Sequence, residues 1–321
     1  MSLVPRPALA DALRRPGTTI VVTGAGGWLG RAAIDLLDRV HGPALDQRVA
    51  VFGRTARMIA LGSGRTIACR ALADLPDLQL EAPYLLHFAF HGREKVAELG
   101  AAPFIAENRR IGEIVEAYLV RRPVRGLFLP SSGAVYGPAR SLPPDLAENP
   151  YGAMKFEDEQ RYRVLADRLG FPLTLFRVFN LGGPWINKLD GYALATVLRD
   201  IRRGGPIVLR AARPVIRSYV HVGDVLQLAL ADLVAAAGSG PLDTAGERAV
   251  EIGDLALLAR DLLGAGSLEI QRPPLDPTAP ADCYVGDGTL FRALAARHGI
   301  VPAGLERQVL DTAADLARRV P

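Results

Sequence analysis

The sequence predicts an α/β protein with a doubly wound, parallel sheet and a smaller C-terminal lobe. Three observations predict it. Short apolar runs alternate with helical periodicities over roughly the first 180 residues. The first of these runs, residues 18–22, opens directly into Thr23-Gly24-Ala25-Gly26-Gly27-Trp28-Leu29-Gly30. The rhythm then breaks at residues 181–216 and does not return in full. Short apolar strands separated by helices imply parallel strands covered on both faces.

The elements follow in order. Residues 8–15 are expected as a short leading helix and 18–22 as the first strand. After the glycine turn, Ala33, Ile34, Leu37 and Val40 fall on one face of a helix over 31–40. Residues 48–52 form a second strand, 66–69 a weaker third, 84–88 a fourth, 126–129 a fifth and 173–178 a sixth. Residues 105–119 and 155–169 carry helical spacing between the later strands. Residues 218–230 read as a strand followed by a helix, 255–263 as a helix, and 305–319 as an amphipathic helix. No internal repeat is visible. The expected sheet domain is residues 15–180 plus about 216–235, and the smaller lobe 181–215 plus about 236–321.

A chain of 321 residues with 49% apolar content suits two lobes with a sizeable core. The 24 prolines and 33 glycines are dispersed as turns. A net charge of +4 argues against nucleic acid as a partner. Arg199, Arg202, Arg203, Arg210, Arg213 and Arg217 are opposed locally only by Asp200, which reads as a solvated basic face or an anion-binding wall. Cys69 and Cys283 lack metal or redox spacing and read as structural thiols of a reducing compartment. Histidines 41, 87, 91, 221 and 298 show no ligand spacing, so no metal is expected; His221, in an apolar run, reads as a core residue. No signal-peptide pattern opens the chain, and no run reaches the roughly 18–20 apolar residues of a membrane helix. The expectation is a cytoplasmic protein with no membrane partner.

Three segments carry chemistry. Gly24, Gly27 and Gly30 are spaced by three, not as G-x-G-x-x-G, but the physics is shared. Glycine permits the tight strand-to-helix turn and lets backbone approach a pyrophosphate held on the helix N-terminus. At the end of the second strand, Val51-Phe52-Gly53-Arg54-Thr55-Ala56-Arg57 has no carboxylate for a ribose hydroxyl. Gly53 leaves room, and Arg54, with Arg57 as second candidate, suits a 2′-phosphate. NADP is therefore favoured over NAD. Finally, Tyr151 and Lys155 are four apart and share a helix face. A cation beside a phenol favours its anion, which suits Tyr151 to proton transfer near neutrality.

The ordered motifs resemble the extended short-chain dehydrogenase/reductase family, the NAD(P)-dependent sugar-nucleotide epimerases and dehydratases. They are Thr23-Gly-x-x-Gly-x-x-Gly30, His87-Phe-Ala-Phe90, Ser131-Ser-Gly-Ala-Val-Tyr-Gly137, Tyr151-x-x-x-Lys155, Arg177-Val-Phe-Asn-Leu-Gly-Gly-Pro184, Arg217-Ser-Tyr-Val-His-Val-Gly-Asp224 and Leu242-Asp-Thr-Ala-Gly246. The likeness covers roughly residues 18–310 and implies a Rossmann-type fold with a substrate-binding lobe. It implies cofactor contacts from Gly24, Gly27, Trp28, Leu29, Gly30, Arg54, Ala89, Asn108, Tyr151 and Lys155, with Asn108 opening its helix. Trp28 reads equally as packing, as does Trp185, which could also line the substrate cleft. The implied catalytic set is Ser132, Tyr151 and Lys155: Tyr151 as general acid or base, Lys155 on the nicotinamide ribose, and Ser132 on the substrate oxygen. Ser132, Asn180 and Arg217 would bind a nucleotide-sugar substrate, Arg217 on its phosphates.

Departures narrow the reaction. Dehydratases of the family carry an Asp-Glu pair where this chain has Gly133 and Ala134, which cannot move protons. Neither cysteine lies where epimerisation at C3 and C5 would need one. The expected reaction is that of a 4-keto-sugar reductase or a 4-epimerase. The alternatives are a reductase of a small non-nucleotide ketone and a non-catalytic NADP-sensing protein. The resemblance also implies a homodimer.

Overall fold

A computed structural model describes residues 3–276 and 278–319. Val320 and Pro321, counted above with the smaller lobe, lie outside the described residues, as do Pro277 and the first two residues. The chain opens with α1 (Pro7–Arg14), β1 (Ile20–Thr23), α2 (Trp28–His41), α3 (Leu45–Arg48), β2 (Val49–Gly53), β3 (Arg57–Ala60) and β4 (Thr66–Ala71). It continues with β5 (Tyr84–His87), α4 (Glu94–Leu99), α5 (Ala101–Arg121), β6 (Gly126–Ser132), α6 (Pro150–Leu169), β7 (Leu173–Val178) and β8 (Asn180–Gly182). Then come α7 (Ala193–Arg203), β9 (Ile207–Val208), β10 (Val215–His221), α8 (Val222–Val234), β11 (Leu242–Asp243) and β12 (Ala249–Glu251). The last elements are α9 (Ile252–Leu262), β13 (Ile270–Gln271), β14 (Asp282–Tyr284), α10 (Thr289–Arg297) and α11 (Leu305–Arg319).

Two compact units result. The larger, residues 4–178 and 226–242, holds an eight-stranded sheet in the order β11-β7-β6-β5-β1-β2-β4-β3. From β7 to β4 the strands are parallel, and β3 runs antiparallel, folding back on β4 as a hairpin. Every residue of β1, β5 and β6 is buried, as expected of parallel strands covered on both faces. One face packs under α5 and α6 through Leu85, Val115, Tyr118, Leu127 and Leu165. The chain winds outward from β1 in both directions, so the carboxyl ends of β1 and β5 form the switch point where such sheets bind ligands.

The smaller unit spans residues 179–225 and 243–321 with Leu3. In it β10 pairs with β8 and β14 in parallel and with β12 antiparallel, and α7, α9 and α11 pack on one another. Residues 216–225, expected with the large sheet, belong here. An apolar run specifies a strand but not its partner, and β10 finds β8, just past the end of β7. The sheet's outer strand is β11 instead. Strands β3 and β8 and helices α4, α7 and α10 were not expected either. Strands β3 and β8 and helix α4 are short, but α7 carries a clear apolar stripe through Leu194, Val197 and Leu198 that the sequence reading passed over.

Candidate active site

The glycine turn is built for close approach. Gly24 has φ +70°, and a Cβ there would sit 2.4 Å from the Phe88 carbonyl carbon. A Cβ on Gly30 would sit 2.2 Å from the Gly24 oxygen. Gly27 N–H donates to Gly24 O at 3.0 Å and Ala25 N–H to Phe52 O at 3.1 Å, tying the turn to the end of β2. Gly27 caps α2 with no side chain, so no capping side chain bonds the first-turn N–H groups. That cradle, which side chains would fill, fits a pyrophosphate at the helix N-terminus. Trp28 is buried in the first turn and Leu29 is half-buried beside it.

The end of β2 differs from its reading in sequence. A Cβ on Gly53 would lie 2.9 Å from the buried Cys69 Sγ, so any side chain there would have to displace that thiol. Arg54 and Arg57 are both exposed. The Arg57 guanidinium, however, reaches back to the glycine turn: its Nη2 lies 2.9 Å from where a Gly26 Cβ would stand.

Beneath the turn runs a buried chain of polar groups. The Ala89 N–H donates to Thr23 Oγ1 at 3.2 Å, Thr23 Oγ1 meets His87 Nδ1 at 2.8 Å, and His87 Nε2 meets Tyr162 Oη at 3.0 Å. Burial, then Lys155 and Arg161, pushes His87 down to about 3, so it is a neutral brace. Asn108 braces too. It lies well inside α5 rather than opening it; its Oδ1 accepts from His91 N–H at 2.8 Å and its Nδ2 donates to Phe104 O at 3.1 Å.

Ser132, Tyr151 and Lys155 all belong to the larger unit, at the carboxyl end of β6 and the start of α6. Asn149 caps α6, its side chain accepting from Gly152 N–H at 2.9 Å, and Pro150 follows at the first helical position. Asn149 Nδ2 also donates to Ala134 O at 2.8 Å, while Ser132 Oγ accepts from Ala134 N–H at 3.1 Å. A single turn thus fastens the serine to the helix that carries the tyrosine. Gly152 permits it: a Cβ there would lie 2.0 Å from Ala134 O. Phe90 joins the other two residues. Its ring centroid is 5.9 Å from that of Tyr151, and the Lys155 ammonium lies 3.8 Å from the same centroid. Lys155 Nζ donates to Pro130 O at 3.1 Å. Burial pushes Lys155 down to about 8, against the pull of Asp158 and Glu159.

Sequence reasoning missed Asn149, Gly152 and the role of Phe90. An Asn before a Pro at a helix start is a readable cap signal; the Gly152 and Phe90 contacts are tertiary and leave no local trace.

Asn180 and Arg217 lie in the smaller unit and both are engaged there. Asn180 Nδ2 donates to Ser218 O at 3.2 Å and Tyr284 O at 3.0 Å. Arg217 Nη1 donates to Asp282 O at 2.7 Å, and its Nη2 pairs with Asp282 Oδ2 at 3.0 Å. In the basic segment, read as a solvated face or an anion-binding wall, Arg199 pairs with Asp190 and Asp200, and Arg202 donates to Leu316 O. His221 is buried and 3.4 Å from Asp311. Trp185 stacks under the Arg319 guanidinium at 5.0 Å. Among the described residues no group of His, Cys, Asp or Glu is placed to hold a metal ion, and no helix is long and apolar enough to cross a membrane.

A glycine-rich strand–turn–helix at the switch point of a doubly wound sheet defines the class of dinucleotide-binding α/β proteins. Within that class, the model of the NAD dependent epimerase/dehydratase family matches residues 20–242, and the chain belongs to that family. Solved structures share the fold at low identity. UDP-N-acetylglucosamine 4-epimerase from Methanobrevibacter ruminantium, in complex with UDP-N-acetylmuramic acid, is 19% identical with a TM-score of 0.72, over 94% of this chain and 99% of that one. UDP-glucose 4-epimerase from Thermotoga maritima, with UDP-glucose, is 18% identical at 0.70 over 95% and 100%. UDP-glucuronic acid 4-epimerase from Bacillus cereus, with UDP-glucuronic acid and NAD, is 16% identical at 0.70 over 94% and 99%. No curated protein matches the chain in sequence.

Proposed function

We propose that this chain is an NAD(P)-dependent oxidoreductase of a nucleotide-linked sugar, exchanging one hydride and one proton at a single sugar carbon. The observation that carries this reading is the Phe90 ring, which touches both Tyr151 and the buried Lys155 ammonium beside a cradle for a dinucleotide. Gly24, Gly27 and Gly30, with the N-terminus of α2, would hold the pyrophosphate. Bound nicotinamide supplies or accepts the hydride.

The protein's own groups handle the proton. Tyr151 Oη gives it to, or takes it from, the sugar oxygen, and the Lys155 charge favours the phenolate that this exchange requires. Lys155 also carries donors for the ribose hydroxyls. Ser132 Oγ accepts from Ala134 N–H, and its O–H would donate to the same sugar oxygen. Gly133 and Ala134 have no proton to move, so water is not eliminated. Asn180 and Arg217 would meet the nucleotide diphosphate, Arg217 exchanging its Asp282 partner for phosphate.

Two members of this reaction class remain. The arginines and the missing carboxylate at the end of β2 favour NADP and thus a 4-keto-sugar reductase. A 4-epimerase retaining NAD is favoured by the solved 4-epimerases of the same fold, one of them holding NAD. We expect a cytoplasmic homodimer in either case. The test is to identify any nicotinamide that co-purifies, then to follow reduced-cofactor absorbance with a panel of nucleotide sugars and keto-sugars. Tyr151→Phe should lose roughly 10²–10⁴-fold in turnover. Turnover that survives the change removes this mechanism.

A further inference from the structure

We propose that Arg57, and not Arg54, is the residue that selects a phosphorylated adenosine ribose, and hence NADP over NAD. This rests on the dinucleotide reading above and sharpens it. In the register of the β3–β4 hairpin, Arg57 stands opposite Cys69, which in turn stands opposite Val51 of β2. Residues paired across neighbouring strands point to the same face, and so does Gly53, two residues beyond Val51. Arg57 therefore leaves the same face of the sheet as Cys69 and Gly53. Because Gly53 has no side chain and Cys69 is small, the path from β3 towards the glycine turn is clear. The guanidinium takes it, bringing Nη2 to 2.9 Å from the Gly26 Cβ position.

The place it reaches is specific. The adenosine ribose of a dinucleotide lies at the end of the second strand, where NAD-type sites present a carboxylate. Residues 49–57 contain none. Arg57 instead brings a rigid fork of donors suited to a phosphate. Its strand is held in position: Arg31, one residue past Gly30 in α2, donates from Nη2 to Ala60 O of β3 at 2.8 Å. Arg54 starts the turn between β2 and β3 and has no comparable link to the glycine turn.

The test compares adenosine 2′,5′-bisphosphate with AMP, which differ only in the 2′-phosphate, by calorimetric titration of the full chain after its co-purified nicotinamide has been identified. The wild-type chain should prefer the bisphosphate by about tenfold or more, as expected of charged hydrogen bonds. Arg57→Ala should cut that preference to about twofold or less with AMP affinity unchanged, which also shows that the variant is folded; Arg54→Ala should keep the preference. A preference that survives Arg57→Ala overturns the proposal. So does an equal weakening of both ligands, which would make Arg57 a brace of the turn. A wild-type chain that shows no preference, or that purifies with NAD bound, instead overturns the NADP reading on which the proposal stands.

Discussion

Arg177 and Glu159 form a two-point ion pair sealed from water behind Ser132, with side-chain exposures of 8% and 0%. Arg177 Nε donates to Oε1 at 2.9 Å and Nη2 to Oε2 at 2.6 Å. Ser131 Oγ donates to the same Oε1 at 2.5 Å, and Arg177 Nη1 donates to Tyr136 Oη at 2.7 Å. Ser131 and Tyr136 bracket Ser132, so the pair locks β6, β7 and α6 around that residue. Burial works against the Arg177 charge, but Glu159 and Tyr136 more than offset it and hold the guanidinium above its ordinary value.

Breaking such a pair leaves a buried charge without its partner, at about 3–5 kcal/mol, whereas replacing both members with apolar groups can be nearly neutral. Glu159→Gln should lower the urea midpoint sharply. Glu159→Leu combined with Arg177→Met should unfold at higher urea than the two single losses would sum to. Strict additivity in that cycle would show that the two residues do not act as one unit.

Gly152 sets how closely α6 approaches the serine turn. An alanine Cβ would lie 2.0 Å from Ala134 O and 2.3 Å from Asn149 Nδ2, and neither atom can yield without moving the helix start or the turn. Gly152→Ala should cost about 1–3 kcal/mol in stability. It should also lower kcat/KM by roughly 100-fold, because Tyr151 and Ser132 separate. Unchanged steady-state kinetics in a folded Gly152→Ala protein would show that this approach does not set the catalytic geometry.

Asp158 is a buried carboxylate one turn beyond Lys155. Burial, offset by Lys155 and Arg161, raises it from 3.8 to about 6. Between those values the folded chain binds more protons than the unfolded chain, so this residue's contribution to stability falls as pH rises through the window. Asp158→Asn should match the wild type in unfolding free energy near pH 4 and exceed it above pH 6, by an amount on the order of 3 kcal/mol. A stability difference that stays constant across pH 4–7 would contradict this assignment.

How far the sequence could be read depended on the range of each interaction. The run into Gly24, Gly27 and Gly30, and the Tyr151–Lys155 spacing, are local patterns, and the strand, turn and helices they predict are present. The partners of β10 were not legible, because an apolar strand does not name its neighbour. The partners of Arg217 and Asn180 were not legible either: Arg217 meets Asp282, 65 residues away, and Asn180 a carbonyl 104 residues away. Nor was the closeness of Gly53 to the Cys69 thiol on the neighbouring strand. The approach of Arg57 to Gly26 was hidden as well, because the register of the β3–β4 hairpin cannot be seen in sequence.

The Lys155 ammonium carries a final prediction, for pH. Burial lowers it from 10.5 to about 8, so it is charged below that value and neutral above it. In the mechanism proposed above the charged form favours the Tyr151 phenolate, so turnover should fall along an alkaline limb near pH 8. Lys155→Arg keeps its charge above pH 12, and whatever activity it retains should lack that limb. Glu159 favours the charged form of Lys155, so Glu159→Gln should move the limb to lower pH. Stability runs the other way: between about 8 and 10.5 the unfolded chain holds the extra proton, and this residue's contribution rises with pH. A pH–rate profile that is flat to pH 10 in the wild-type enzyme would separate Lys155 from the proton exchange at Tyr151.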